Sequence, residues 1–191
     1  MGAIGIEFKN DRTRAKEELE GSDGRANVSS RSDDRSYYNS RDEKQTYSFV
    51  YEFNAAESGE FAAYLKNTST VGLQFIPTQV FVSASANIRI KLWSVTGTAA
   101  GGTEVVGAND NLTTDNTPTA LAQEGGSAAT GITGLTTDRI LGIARCGAND
   151  TQIIPVKDSV RLGQNNAIAV EVDDGTAADV EVTVLGYFEA I

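Results

Sequence analysis

The chain has 191 residues and a formal net charge of -10, from 16 Lys and Arg against 26 Asp and Glu, with one cysteine and no histidine. That length holds one ordinary domain with a real core, or one domain with an appendage. The missing histidine removes Ser-His-Asp and Cys-His catalysis, histidine-ligated zinc and the usual general base near neutral pH, and the lone Cys146 excludes an intrachain disulfide.

The charge is unevenly spread. Residues 1–46 carry 9 Lys and Arg against 10 Asp and Glu, whereas residues 47–191 carry 7 against 16. A composition break near Tyr47 therefore separates a long, extended, charged N-terminal arm (1–46) from a folded acidic domain (47–191). The domain offers no cationic counter-surface for phosphates, so no nucleic-acid partner is expected. No apolar run approaches the roughly 18 residues that span a bilayer, so no membrane partner is expected either. MGAIGIEF has neither a basic n-region nor a long h-region, and Ile6 stands where the myristoylation pattern needs Ser or Thr. The expectation is a soluble chain not exported through a classical signal.

Along the arm, MGAIGIEF is a short apolar tip and DRTRAKEELEG (Asp11 to Gly21) suits about two helical turns. Gly21 to Lys44 is Ser, Asp, Arg and Asn with almost no aliphatic residue. Isolated helices shorter than ~12 residues are marginal in water. Ordering costs ~1 to 2 kcal/mol per residue, and this composition has too little apolar area to offset it. The arm therefore needs a partner to hold it. Its candidate contacts are Arg25, Arg31, Arg35 and Arg41, suited to carboxylates, with Tyr37 and Tyr38 as amphipathic anchors.

From Tyr47 the period becomes two. In YSFVYEF, Tyr47, Phe49, Tyr51 and Phe53 share a face that belongs against something large and apolar. Further strands are expected at Phe61 to Lys66, Val71 to Ile76, Gln79 to Ser85 and Asn87 to Val95. In the last of these Ile88, Ile90 and Leu92 alternate with Arg89, Lys91 and Trp93. The Gly-, Thr-, Asn- and Ala-rich stretch from Thr96 to Asp138 shows extended character only at Thr103 to Val106 and Ala120 to Gln123. Strands resume at Arg139 to Cys146, Thr151 to Val156, Ala167 to Val172 and Asp179 to Phe188, and Asp173 to Ala178 (DDGTAA) reads as a hairpin with Gly175 free to take positive φ. About eight to ten short strands without helical periodicity favour an all-β sandwich or barrel.

Few constellations carry chemistry. Cys146 on a strand reads as a buried small apolar residue. Glu171, Asp173, Asp174, Asp179 and Glu181 flank the final hairpin; a carboxylate pair among them would be needed for glycoside hydrolysis, but acids beside a turn are ordinarily its solvated flank. Asn109, Asn111, Thr113 and Asp115 alternate as calcium ligands do, without the central glycine and distal Glu of an EF-hand loop. Trp93, between Arg89 and Lys91, has three open roles: stacking on a sugar, anchoring a protein interface, or packing against the second sheet or a neighbouring subunit. No catalytic, cofactor or metal site is assigned, and the chain is not expected to be an enzyme.

The order of features resembles the small jelly-roll proteins of tailed-phage virions. The resemblance covers about residues 47–189 and rests on FAAYLKNTSTVGLQFIPTQVFVSASANIRIKLWSVTG, GGTEVVGANDNLTTDNTPTA and IIPVKDSVRLGQNNAIAVEVDDGTAADVEVTVLGYFE. Its motifs are the Gly101-Gly102-Thr103 turn, the Asn111-Leu112 loop, and Pro155 with Ser159 before the last two strands. It implies a jelly-roll β-sandwich of about eight strands, commonly trimeric. The implied role is a bacteriophage capsid decoration (cement) protein on the outer capsid surface of the virion. The partners are then the major capsid protein and copies of itself, with the arm bound across neighbouring subunits. The alternative is a tail-fibre or receptor-binding, glycan-binding virion module anchored by the arm.

Overall fold

A computed structural model describes residues 8–9, 16–17, 45–125, 131–156 and 160–191. The chain divides into two compact units, Met1–Asp34 and Arg35–Ile191. In the first, strand β1 (Phe8–Lys9) pairs antiparallel with β2 (Lys16–Glu17). The helical expectation for Asp11 to Gly21 is thus corrected at Lys16–Glu17, which is extended. So short a segment cannot sustain an isolated helix, and a neighbouring strand satisfies its backbone instead.

The second unit is all-β over its described residues, with strands β3 (Thr46–Ala56), β4 (Glu60–Asn67), β5 (Leu73–Ala84), β6 (Ile88–Ala100), β7 (Thr103–Val105), β8 (Ala108–Asn109), β9 (Ala120–Glu124), β10 (Thr133–Cys146), β11 (Asp150–Pro155), β12 (Ala167–Gly175) and β13 (Ala178–Ala190). They form two antiparallel sheets, ordered β10-β6-β12-β4-β9-β7 and β11-β5-β13-β3-β8. The principal strands pair in nested order: β3 with β13, β4 with β12, β5 with β11 and β6 with β10. Successive nested pairs fall alternately in the five-stranded and the six-stranded sheet.

The two sheets share one core, the arrangement of a β-sandwich. Alternation in β3 sends Tyr47, Phe49, Tyr51 and Phe53 inward, all buried, beside Val80 and Val82 of β5 and Val180, Val182 and Val184 of β13. The facing sheet contributes Leu65, Ile90, Leu92, Ile168, Val170 and Val172. The rings interlock edge to face: Tyr47 with Phe188 at 5.7 Å and Phe49 with Phe75 at 5.8 Å between centroids. Truncating one such buried ring to Ala costs about 3–5 kcal/mol. A side chain at Gly107 would put its Cβ 2.5 Å from Phe49 Cε1, so only glycine lets the chain pass over that ring.

A second, smaller apolar cluster lies on the opposite side of the six-stranded sheet. Tyr64, Ala167 and Ala169 have the reverse parity to Leu65, Ile168 and Val170, and they cluster with Val95 and Ile132. β6 pairs with β12 only as far as Val95, whereas its ladder with β10 continues to Ala100 opposite Thr133. This β6–β10 ribbon brings Ala99, Leu135 and Ile132 against the sheet, and Ile132 bridges to Phe61. Register shifts at Thr133/Leu135 and Thr137/Arg139 mark bulges, which bend a ribbon away from its sheet.

Asn67 is the principal buried polar side chain of the β4–β5 connection. Its Nδ2 donates to Leu73 O (2.8 Å) and Leu162 O (2.7 Å), and its Oδ1 accepts from Ser69 N (2.8 Å). At the last hairpin Gly175 has φ 138°, the positive value expected of it.

Two expected strands, Val71 to Ile76 and Gln79 to Ser85, are one strand, β5. Pro77 does not break it because the ladder with β11 begins only at Gln79, and the ladder with β13 shifts register between Leu185 and Gly186, opposite Pro77.

The Tyr51 hydroxyl is buried with no hydrogen-bond partner among the described residues, and burial pushes its pKa well up. A buried hydroxyl without a partner costs about 1–3 kcal/mol. Tyr51→Phe is therefore expected to raise the Tm by about 2–4 °C per kcal/mol recovered. Calorimetry that finds a lower Tm for this variant contradicts the assignment.

Candidate functional site

The same alternation that buries Ile88, Ile90 and Leu92 of β6 turns Arg89, Lys91 and Trp93 to the outer face of the six-stranded sheet. The register sets Lys91 opposite Glu171 and Trp93 opposite Ala169 of β12. Trp93 Nε1 donates to Glu171 Oε2 at 2.6 Å, and Lys91 Nζ lies 5.5 Å from the Trp93 ring centroid. Arg89 and Lys91 both bind the Asp173 carboxylate. The Lys91 hydrogen bond, with Arg89 adding to it, holds the Asp173 carboxyl below the usual carboxylate range. Trp93 does not pack against the second sheet: the half-buried ring lies against the smaller apolar cluster on the outer side of its own sheet, with its N–H and one face engaged. Asp173 is the residue that sequence reasoning placed only on a solvated turn. Its partners become visible once β6 and β12 are known to be neighbours.

The carboxylates flanking the last hairpin do not converge. Glu171 and Asp173 stand on the outer face of the six-stranded sheet, whereas Glu181 stands on the outer face of the five-stranded sheet, accepting from Ser83 Oγ at 3.1 Å. Asp179 accepts from Ala55 N with Oδ1 at 3.0 Å, tying β13 to the end of β3. The exposed Asp174 lines a cleft of about 380 Å³ at the sandwich end, with Arg89, Arg145 and Cys146.

In the Asn109 to Asp115 loop, the alternating oxygens serve turns. Asn109 Oδ1 accepts from Asn111 N (2.8 Å), and Asn111 Oδ1 accepts from Thr113 N (3.0 Å) and Thr113 Oγ1 (2.6 Å). Such side-chain-to-backbone bonds two residues on are what Asx turns consist of. Among the described residues no group of three His, Cys, Asp or Glu stands close enough to hold a metal ion. Beside this loop a second cleft of about 380 Å³ is lined by Asp115, Asn116 and Thr117 over Tyr47 and Phe188. Burial raises the Tyr47 pKa, opposed by a hydrogen bond with Asn109.

Cys146 is buried, with Sγ 3.6 Å from Val82 O, and burial followed by the nearby Asp150 charge pushes its thiol up. Arg25, Arg31, Arg35, Tyr37, Tyr38 and Arg41 lie outside the described residues, as does Ser159. Compared with protein-family models, curated proteins and solved structures, the chain finds no match.

Two outcomes follow from these charges. A lowered folded-state pKa at Asp173 contributes stability above its ordinary value of 3.8, and that stability is lost as pH falls through the folded pKa. Asp173→Asn should therefore melt below the parent at neutral pH, and the gap should begin to narrow as pH falls below about 4. A gap that is constant with pH contradicts the ion pairing. The Cys146 thiol should resist a thiol-specific disulfide reagent at pH about 8 in the native chain and react fully in denaturant. Rapid native labelling contradicts its burial.

Proposed function

We propose that this chain is a structural virion protein, a jelly-roll capsid decoration (cement) protein of a tailed bacteriophage. In this reading it trimerises on the outer capsid surface and stabilises the shell. The N-terminal arm, residues 1–46, binds the major capsid protein across neighbouring subunits. The reading assigns the chain no catalysis, cofactor or metal, and neither nucleic acid nor membrane as partner.

The observation that carries it is the nested pairing of the eight principal strands. With β3, β4, β5, β6, β10, β11, β12 and β13 lettered B to I, the sheets run C-H-E-F and B-I-D-G. A long four-over-four hairpin rolled up so that its pairs alternate between two sheets would give this order, which supports the jelly-roll reading, a fold used by viral capsid domains. Fold does not by itself assign function. The charge division between arm and domain supports the remainder: a polar segment that cannot fold alone suits wrapping a partner's surface.

The alternative is a tail-fibre or receptor-binding module that takes a glycan, and the cleft lined by Asp115, Asn116 and Thr117 favours it, since amide, hydroxyl and carboxylate groups suit the hydroxyls of a sugar. Against it, Trp93 is spoken for by Glu171 and Lys91.

Co-sedimentation of the full chain with shells stripped of it tests the proposal. The parent is expected to bind. A variant with Arg25, Arg31, Arg35, Tyr37, Tyr38 and Arg41 all changed to Ala is expected to bind at least about 100-fold more weakly with unchanged thermal unfolding. Equal binding by both contradicts the role of the arm, and no binding by the parent contradicts the capsid reading.

A further inference from the structure

The two outer faces of the sandwich differ in the charge that finds no partner among the described residues, a surplus arginine on one and two opposed glutamates on the other. On the six-stranded sheet the register places Ile140 beside Trp93, Ile143 beside Lys91 and Arg145 beside Arg89. Ile140 and Ile143 are 41% and 56% exposed. Arg89 and Lys91 are taken up by Asp173, whereas Arg145 pairs with no acid among the described residues and stands directly opposite Arg89. Arg89, Lys91 and Arg145 share this face with Glu171 and Asp173, which leaves Arg145 as its surplus charge beside the exposed isoleucines.

On the five-stranded sheet one outward row runs Val50, Thr183, Phe81, Ile153 across β3, β13, β5 and β11. Val50 is 55% and Ile153 51% exposed. The adjacent row sets Glu52 directly opposite Glu181, and no cation among the described residues pairs with either. Neither row contains a Lys or Arg.

Like charges directly opposed across a ladder are destabilising, and branched aliphatics held in water on a flat sheet face mark interaction surfaces. Arg145, beside an arginine already paired to Asp173, and the opposed Glu52 and Glu181 each lack a counter-charge among the described residues, and stacking one face on the other supplies it. Strand addition is the poorer route. β10 carries three register shifts, β11 ends at Pro155, and β7 and β8 have three and two residues, so the outer edges are blunted.

We infer that the Ile140–Ile143–Arg145 face of one copy docks on the Val50–Ile153–Glu52–Glu181 face of a second copy, head to tail. Such a heterologous contact closes into a ring or runs on as a stack, according to its rotation. The inference rests on the proposed function for the place of the assembly in a virion. Self-association is measured without capsid, so either can fail alone.

Sedimentation velocity of the full chain from about 1 to 100 µM, at about 50 and 500 mM salt, reads the outcome. The parent is expected to associate, and less so at high salt. Arg145→Glu alone, and Glu52→Lys with Glu181→Lys, are each expected to weaken association at least about 10-fold, whereas an equimolar mixture of the two variants regains it, because each then offers the charge the other lacks. Ile153→Ser, which leaves every charge in place, is expected to weaken association as well. A parent that stays monomeric overturns the inference. So does association indifferent to these changes, or a mixture no better than its components.

Discussion

Four aromatic rings on one face of β3 set the constraint from which the rest of the sandwich follows. Tyr47, Phe49, Tyr51 and Phe53 need an apolar layer opposite that is thick enough to cover them yet leaves room for their width. β4 and β9 answer mostly with small side chains, Ala62, Ala63 and Ala122 beside Leu65, while β6 and β12 answer with Ile, Leu and Val. Once β3 faces inward, its pairing with β13 fixes the face of that strand, and β13 in turn fixes β5. A slip of one residue in β3 or β13 would turn a row of Phe or Val into water and bring Glu52 or Glu181 inside.

That commitment of the interior leaves polar chemistry to the two outer faces and the loops, where much of it is spent on holding the structure. Asp173 gathers Arg89 and Lys91, Asn67 pins the β4–β5 connection, and Asn109 and Asn111 shape their own loop. What the molecule offers a partner is therefore surface: a face with Ile140, Ile143 and a surplus arginine, a face with Val50, Ile153 and opposed glutamates, and an N-terminal sequence rich in Arg, Asp and Ser. A protein organised in this way suits assembly, the role proposed for it.

Most of the strands were legible because alternation is strong wherever one face is buried, as in Tyr47 to Phe53 and Ile88 to Leu92. β10 was legible only from Arg139 onward. Its first half, TGLTTD, has Gly and Thr where a buried strand would have Val or Ile, since that half belongs to the ribbon rather than to the main core. Pro77 read as a break because a single sequence does not reveal that both of its neighbouring ladders are interrupted there. The site was less legible than the fold. Trp93, Arg89 and Lys91 stood out by their spacing, but Glu171 and Asp173 lie about 80 positions away, and only the β6–β12 register brings them together. Asn67 gave no signal at all, because a buried amide and a solvated one look alike in a sequence.

The central claim is that the sandwich rides on the outside of a capsid. Single-particle imaging of virions carrying this chain tests it most directly. The account predicts density with the dimensions of a two-sheet sandwich on the outer surface of the head, in groups of three, each joined to the shell by a thin extended segment. The same density on the tail, or none on the particle, would contradict it.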